Sequence, residues 1–192
     1  MKQNIRDSKN LSIFTIIIIA VLVGISVFSF KKLLKSDTGS YIAQDVAQLA
    51  TIFAKIDATA GILGFDHQKN EINFLNIKKD GFVGSEVGSM NLIDPKKWDG
   101  PYFTEVPKIQ EEDYIVVRTK KGYFITPGDG VKLPNGKIIG KDIILDENAD
   151  IELMMHDDQA LSYRGQPLAA QITISGDKKN NFQQNILPED EE

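Results

Sequence analysis

Residues Leu11–Phe30, LSIFTIIIIAVLVGISVFSF, run for 20 positions without a charge. A helix of this length rises about 30 Å, the thickness of a bilayer's hydrocarbon core. In lipid every backbone N–H and C=O must be satisfied within the segment, so such a run has to be helical there. A core helix of a soluble domain keeps a polar face, and this run has none. The sequence therefore predicts a transmembrane helix over 11–30. Its apolar core exceeds the roughly 7–15 residues of a signal peptide, and Lys31-Lys32-Leu33-Leu34-Lys35 follows where small residues would mark cleavage. An uncleaved anchor is expected. Lys2, Arg6 and Lys9 precede the run, with Asp7 among them, and Lys31, Lys32 and Lys35 follow it, so the flanking charges nearly balance. Large C-terminal domains translocate largely regardless of flanking charge. The expected topology is a cytoplasmic tail over 1–10 and a periplasmic or extracellular C-terminal domain, in a single-pass membrane protein in contact with membrane lipid.

The remainder is long enough for one domain with a real core. Six of the 22 basic residues and one of the 27 acidic residues lie before Asp37, leaving 16 against 26 and a net charge of −10. Nucleic-acid affinity rests on neutralising phosphates, so no nucleic-acid partner is expected. Zero cysteines exclude disulfides, thiolate zinc sites and cysteine nucleophiles.

After a junction at 31–40, Tyr41–Ala60 reads as an amphipathic helix. Ile42, Val46, Leu49, Phe53 and Ile56 recur at spacings of four and three, and Ala43, Ala47, Ala50 and Ala54 widen the stripe. Ser40 is placed to cap its start, and Gly61 to end it in a left-handed conformation. The stripe packs on the domain's own sheet, or else on a coiled-coil partner, for which fewer than three heptads are present. Asn70–Ile77 reads equally as short helix or strand, and Gly81, Gly84 and Gly88 mark loops. From Asp113 onward strands are expected: Tyr114–Thr119 and Tyr123–Thr126 as a hairpin, then Val131–Leu133 and Lys137–Ile139 about the turn Pro134-Asn135-Gly136. Ile143–Leu145 would extend the sheet, Asp150–His156 would form one or two helical turns, and Gln171–Ile174 would be a last strand. The exported domain is thus 41–175, and the polar acidic stretch 176–192 is expected to be disordered. No internal repeat is present.

Phe14-Thr15-Ile16-Ile17 resembles the Phe-Thr-Leu-Ile opening of a mature type IV pilin helix. Trp98-Asp99-Gly100-Pro101-Tyr102-Phe103 resembles the Trp-x-Gly-Pro-Tyr-Leu segment of the major pseudopilins of type II secretion systems. Pro127-Gly128-Asp129-Gly130, closing Tyr123-Phe124-Ile125-Thr126, is similar to their Gly-x-Asp-Gly strand end. These matches fall in the family's order over 14–145. The resemblance implies an α+β, pilin-like fold: an N-terminal transmembrane helix, then an amphipathic helix packed on a small antiparallel sheet. It also implies other pilin-like or secretion-system subunits as partners. Two positions depart from the pattern. Ile13 stands where a prepilin has the glycine of its cleavage site, and Ile18 stands at the fifth mature position, where the family has glutamate.

Asp146-Glu147-Asn148-Ala149-Asp150 places oxygen ligands at alternate positions, as a calcium loop does, but Ile151 replaces the glycine that should follow. Major pseudopilins bind calcium in the loop after the Gly-x-Asp-Gly strand, so the resemblance implies a calcium set of Asp129, Asp142, Asp146, Asn148 and Asp150. The competing reading makes Asp150 the cap of the next helix and leaves the others in water. His67 and His156 are the only histidines, and His156 lies beside Asp157 and Asp158, which do not share its helical face. Glu111-Glu112-Asp113 reads as a solvated acidic loop. No nucleophile elbow, phosphate loop or dinucleotide fingerprint occurs. The chain is not expected to be an enzyme, to carry a small-molecule substrate, or to need a cofactor other than calcium. Two functions remain open: a structural subunit of a pilin-like or type II secretion assembly, and a bitopic envelope protein whose exported domain holds a partner without polymerising.

Overall fold

A computed structural model describes residues 38–177. The apolar run 11–30, its flanks and the acidic stretch after Asp177 lie outside the described residues. Among the described residues no helix is long and apolar enough to cross a membrane. The described part, which forms one compact unit from Gly39 onward, is mixed helix and antiparallel sheet.

The stripe read from the sequence is the buried face of helix α1, which occupies residues 38–60 of the described chain. Ile42, Val46, Leu49, Phe53 and Ile56 are at most 2% exposed. Because the chain is already helical at residue 38, Ser40 lies inside the helix and is not its cap. The other end is as expected. Gly61 takes φ +66° and its N–H bonds the Asp57 carbonyl at 3.0 Å, the left-handed closure that glycine adopts without steric cost.

Ten short strands follow. Strands β1 (Ile62–Phe65), β3 (Glu86–Val87) and β4 (Met90–Leu92) form a three-stranded antiparallel sheet in the order β1-β4-β3. Between them lies β2 (Lys69–Glu71), which joins a different sheet. That sheet is built on β6 (Glu112–Thr119) and β7 (Gly122–Pro127), flanked by β10 (Ala170–Ile172) beside β7 and by β2 beside β6. Strand β5 (Lys108–Ile109) pairs with the start of β6. A two-stranded hairpin of β8 (Ser162–Tyr163) and β9 (Gln166–Pro167) completes the set.

The predicted hairpin is β6–β7, in register from Tyr114 opposite Pro127 to Thr119 opposite Gly122. The Thr119 hydroxyl closes it by donating to the Gly122 carbonyl at 3.0 Å. Successive residues Tyr114, Ile115, Val116 and Val117 are all buried, as are Phe124, Ile125 and Thr126. Neighbouring side chains on a strand point to opposite faces, so this sheet is covered on both. The segment 128–150 gives the core Val131, Leu133, Ile139, Ile143 and Leu145 with little regular structure. The Asn-Gly turn forms there, with Gly136 N–H on the Leu133 carbonyl at 2.9 Å. Its expected strands reduce to single bridges, Lys132–Ile138 and the parallel Ile139–Ile143, so Ile143–Leu145 does not extend the sheet. Asn70–Ile77 is divided: it ends β2 and then makes a 3-10 turn over Asn73–Asn76. The expected last strand is the shorter β10, and Gly176 and Asp177 lie in a helical turn beyond it.

Candidate functional site

The predicted calcium residues are separately engaged. Both carboxylate oxygens of Asp129 accept from the Lys69 ammonium at 2.8 Å. Asp142 accepts the Ile138 N–H at 2.9 Å, and Asp146 accepts the Asn148 N–H at 2.9 Å within its own turn. Helix α2 (Ile151–Met154) starts at Asp150, whose carboxylate accepts the Leu153 N–H at 3.2 Å and pairs with Lys121 at 2.5 Å. Lys121, then the Leu153 N–H, holds that carboxyl below the usual carboxylate range. Asp129 packs against Gly140, one turn from Asp142, whereas Asp150 sits with the β6–β7 turn. Among the described residues no three of histidine, aspartate and glutamate stand together to hold a metal ion. His67 and His156 are both exposed, and of the expected acidic loop Glu112 and Asp113 belong to strand β6, where Asp113 pairs with Lys108 at 3.2 Å.

The segment that carries the resemblance is built into the core. A 3-10 turn at Pro95–Lys97 turns the chain, and the Trp98 N–H bonds the Pro95 carbonyl at 3.1 Å. The Trp98 indole is fully buried, and its Nε1–H donates to the Ile77 carbonyl at 3.1 Å. Tyr102 and Phe82 meet it edge-on, with ring centres at 5.0 and 6.3 Å. Gly100 leaves no room for a side chain, since a Cβ there would lie 2.7 Å from both the indole and the Ile77 carbonyl. The following Gly100-Pro101 peptide is cis.

A polar fastening secures this segment to α1. Asp99 accepts from Lys55 at 2.9 Å and from the Tyr102 hydroxyl, while the Lys55 ammonium stands 5.1 Å from the centre of the Tyr102 ring. The Tyr102 bond, then Lys55, holds the Asp99 carboxyl low. Burial, then Asp99, raises the Tyr102 phenol well above its ordinary value.

Two further fastenings have no local signal in the sequence. Asp45, midway along α1, accepts the Tyr114 hydroxyl of β6 at 2.7 Å. Asp57, near the helix end, accepts the N–H groups of Ile62 and Ser175, both at 2.8 Å, and the Ser175 hydroxyl at 3.0 Å. Tyr114 and Ser175 lie 69 and 118 residues from Asp45 and Asp57, so no spacing rule would join them. A groove of about 490 Å³ between α1 and the β9–β10 stretch was equally hidden, because Ala43 and Ala47 meet Pro167 and Ala170 only in the folded chain. No known protein family, curated protein or solved structure matches the chain.

Proposed function

We propose that this chain is a structural subunit of a pilin-like or type II secretion assembly, held in the membrane by its apolar run 11–30, with the described domain outside. The observation that carries the reading is the order of parts around Trp98. The amphipathic helix is followed by strands β1 to β4 and then by a buried Trp-Asp-Gly-Pro-Tyr segment, which is tied back to that helix through Asp99 and leads on to the β6–β7 hairpin. A solvated loop that matched the motif by chance would not bury its tryptophan completely. The partners are membrane lipid and neighbouring subunits, and no catalytic step is part of this reading. Calcium at Asp129, Asp142, Asp146, Asn148 and Asp150 is not part of this reading, because Asp129 and Asp150 are paired with Lys69 and Lys121.

The second reading is favoured by Ile13 and Ile18, which remove the cleavage glycine and the glutamate that registers pilin subunits. On that reading the domain is a bitopic envelope module that holds a partner protein and does not polymerise. The mass of the mature N-terminus separates the two. Trimming between Ile13 and Phe14, with the product in sheared filaments, supports the assembly subunit. A full-length chain released as single copies by detergent overturns it in favour of the second reading. Recovery in the soluble fraction without detergent would remove the anchor that both share.

A further inference from the structure

Strand β6 carries opposite charges at its two ends. Before it, Gln110 and Glu111 form the β5–β6 turn at φ +54° and +68°, a left-handed conformation that costs free energy in any residue with a side chain. Gln110 holds the turn in place: its side-chain amide donates to the Lys132 carbonyl at 2.8 Å and accepts the Lys132 N–H at 3.0 Å. Glu111 and Glu112 stand exposed on this fixed tip, and neither forms an ion pair among the described residues. At the far end, Arg118 of β6 and Lys120 and Lys121 of the β6–β7 turn surround a hollow of about 380 Å³, with Tyr123 and a single carboxylate, Asp177, on its wall. Lys121 is paired with Asp150, whereas Arg118 and Lys120 form no ion pair among the described residues. Seven steps of about 3.3 Å separate Glu112 from Thr119, so the acidic tip and the basic hollow lie about 23 Å apart along the strand and cannot meet within one copy.

We propose that the two ends meet between copies of the chain, Glu111 and Glu112 of one copy entering the hollow of the next to pair with Arg118 and Lys120. A second copy is the occupant because tip and hollow are complementary in charge, and each lacks a counter-ion among the described residues of its own chain. The tip and the hollow lie beyond opposite ends of β6, so one neighbour cannot engage both. The contact therefore repeats from copy to copy as an open row. Exposed ion pairs are individually weak and are screened by salt. The row forms where a shared membrane concentrates the copies, and it loosens as ionic strength rises. This names a contact between the subunits of the assembly proposed above, and it rests on that reading.

Full-length protein in lipid vesicles, half of it labelled with nitrogen-15, is treated with a water-soluble carbodiimide, which joins a carboxylate to an ammonium in direct contact. Mass spectrometry should find Glu111 or Glu112 of one isotope linked to Lys120 of the other, with a yield that falls at least five-fold between about 50 and about 500 mM salt. The Lys121–Asp150 pair, linked within one copy, shows that the reagent has acted. Glu111→Lys with Glu112→Lys should abolish the ladder of linked multimers, as should Arg118→Glu with Lys120→Glu. Both variants should melt with the wild type, because all four side chains are exposed. An equimolar mixture of the two should regain the ladder, since every acidic end then meets a basic one. Wild-type multimers without these links, variants that each assemble alone, or a mixture that stays apart would overturn the contact and leave the subunit reading standing. A ladder that stops at two copies would mean a closed pair and overturn the row. Wild type that remains in single copies would overturn both the contact and the subunit reading.

Discussion

Replacing Trp98 tests the junction on which the functional reading rests. The side chain is fully buried, and a large aromatic of this kind removes about 200 Å² from water, which at about 25 cal/mol per Å² corresponds to about 5 kcal/mol. Truncations of buried tryptophan to alanine cost about 3–5 kcal/mol in practice, because the surroundings relax only in part. The hydrogen bond to the Ile77 carbonyl is lost as well, about 1 kcal/mol that falls within that range. Trp98→Ala is therefore expected to cost about 4 kcal/mol, a large share of the 5–15 kcal/mol that holds an ordinary domain. With a urea dependence of about 2 kcal/mol/M, the unfolding midpoint should fall by about 2 M, followed by far-ultraviolet circular dichroism. Trp98→Phe keeps a ring against Tyr102 and Phe82 and loses the donor, so it should cost about 1–2 kcal/mol. The wild type supplies an independent reading, because Trp98 is the only tryptophan. Its emission should be blue-shifted and resist iodide. Emission like that of free tryptophan, with a midpoint unmoved by Trp98→Ala, would refute the buried junction.

Other perturbations reach other parts of the domain. Phe53→Asp places a carboxylate at a position 1% exposed, among Phe65 and Phe74, and should cost several kcal/mol, enough to leave the domain aggregated or without a thermal transition; an unchanged melting temperature would move α1 off the core. The Asp177 carboxyl is pushed up by burial, then by Asp57, with Arg118, Lys120 and Lys121 also lining its pocket. A raised folded-state value means stability that is present below the ordinary aspartate range and is lost as pH climbs through the shifted one. Asp177→Asn should accordingly melt higher than wild type at pH 7 and the same at pH 3.5, and melting curves that differ equally at both would exclude this cause. Calcium at 1 mM is expected to leave the wild-type melting temperature unmoved, because the carboxylates of Asp129 and Asp150 already bind lysines; a rise of several degrees would assign the ion to these loops.

What could be read in advance follows the range of the forces involved. Helix α1 was legible because five apolar residues at spacings of three and four can only share a helical face, and its glycine stop is a property of one residue. The β6–β7 hairpin was legible for the same reason, a local pattern closed by a short turn. The sheet of β1, β3 and β4 was not, since strands of two to four residues are too short to show alternation and pair only through the fold. Val131–Leu133 and Lys137–Ile139 carried strand-like residues, but the core takes them as loop side chains. Asp150 was readable as a helix cap from the residues after it. The lysines that occupy Asp129 and Asp150 come from β2 and from the β6–β7 turn, and sequence spacing does not predict them.

The Asp57 fastening also sets a timetable for the domain's birth. The ribosome delivers α1 first, but the buried residues Leu168, Ala169, Ile172 and Ile174 and the two Ser175 bonds arrive 111 to 118 residues after Asp57. At about 5–20 residues per second, that interval is on the order of ten seconds. Throughout it, Ile42, Val46, Leu49, Phe53 and Ile56 lack part of their final cover. A nascent chain stalled before Leu168 should therefore recruit a holding chaperone through α1, and release it only when Ser175 has emerged.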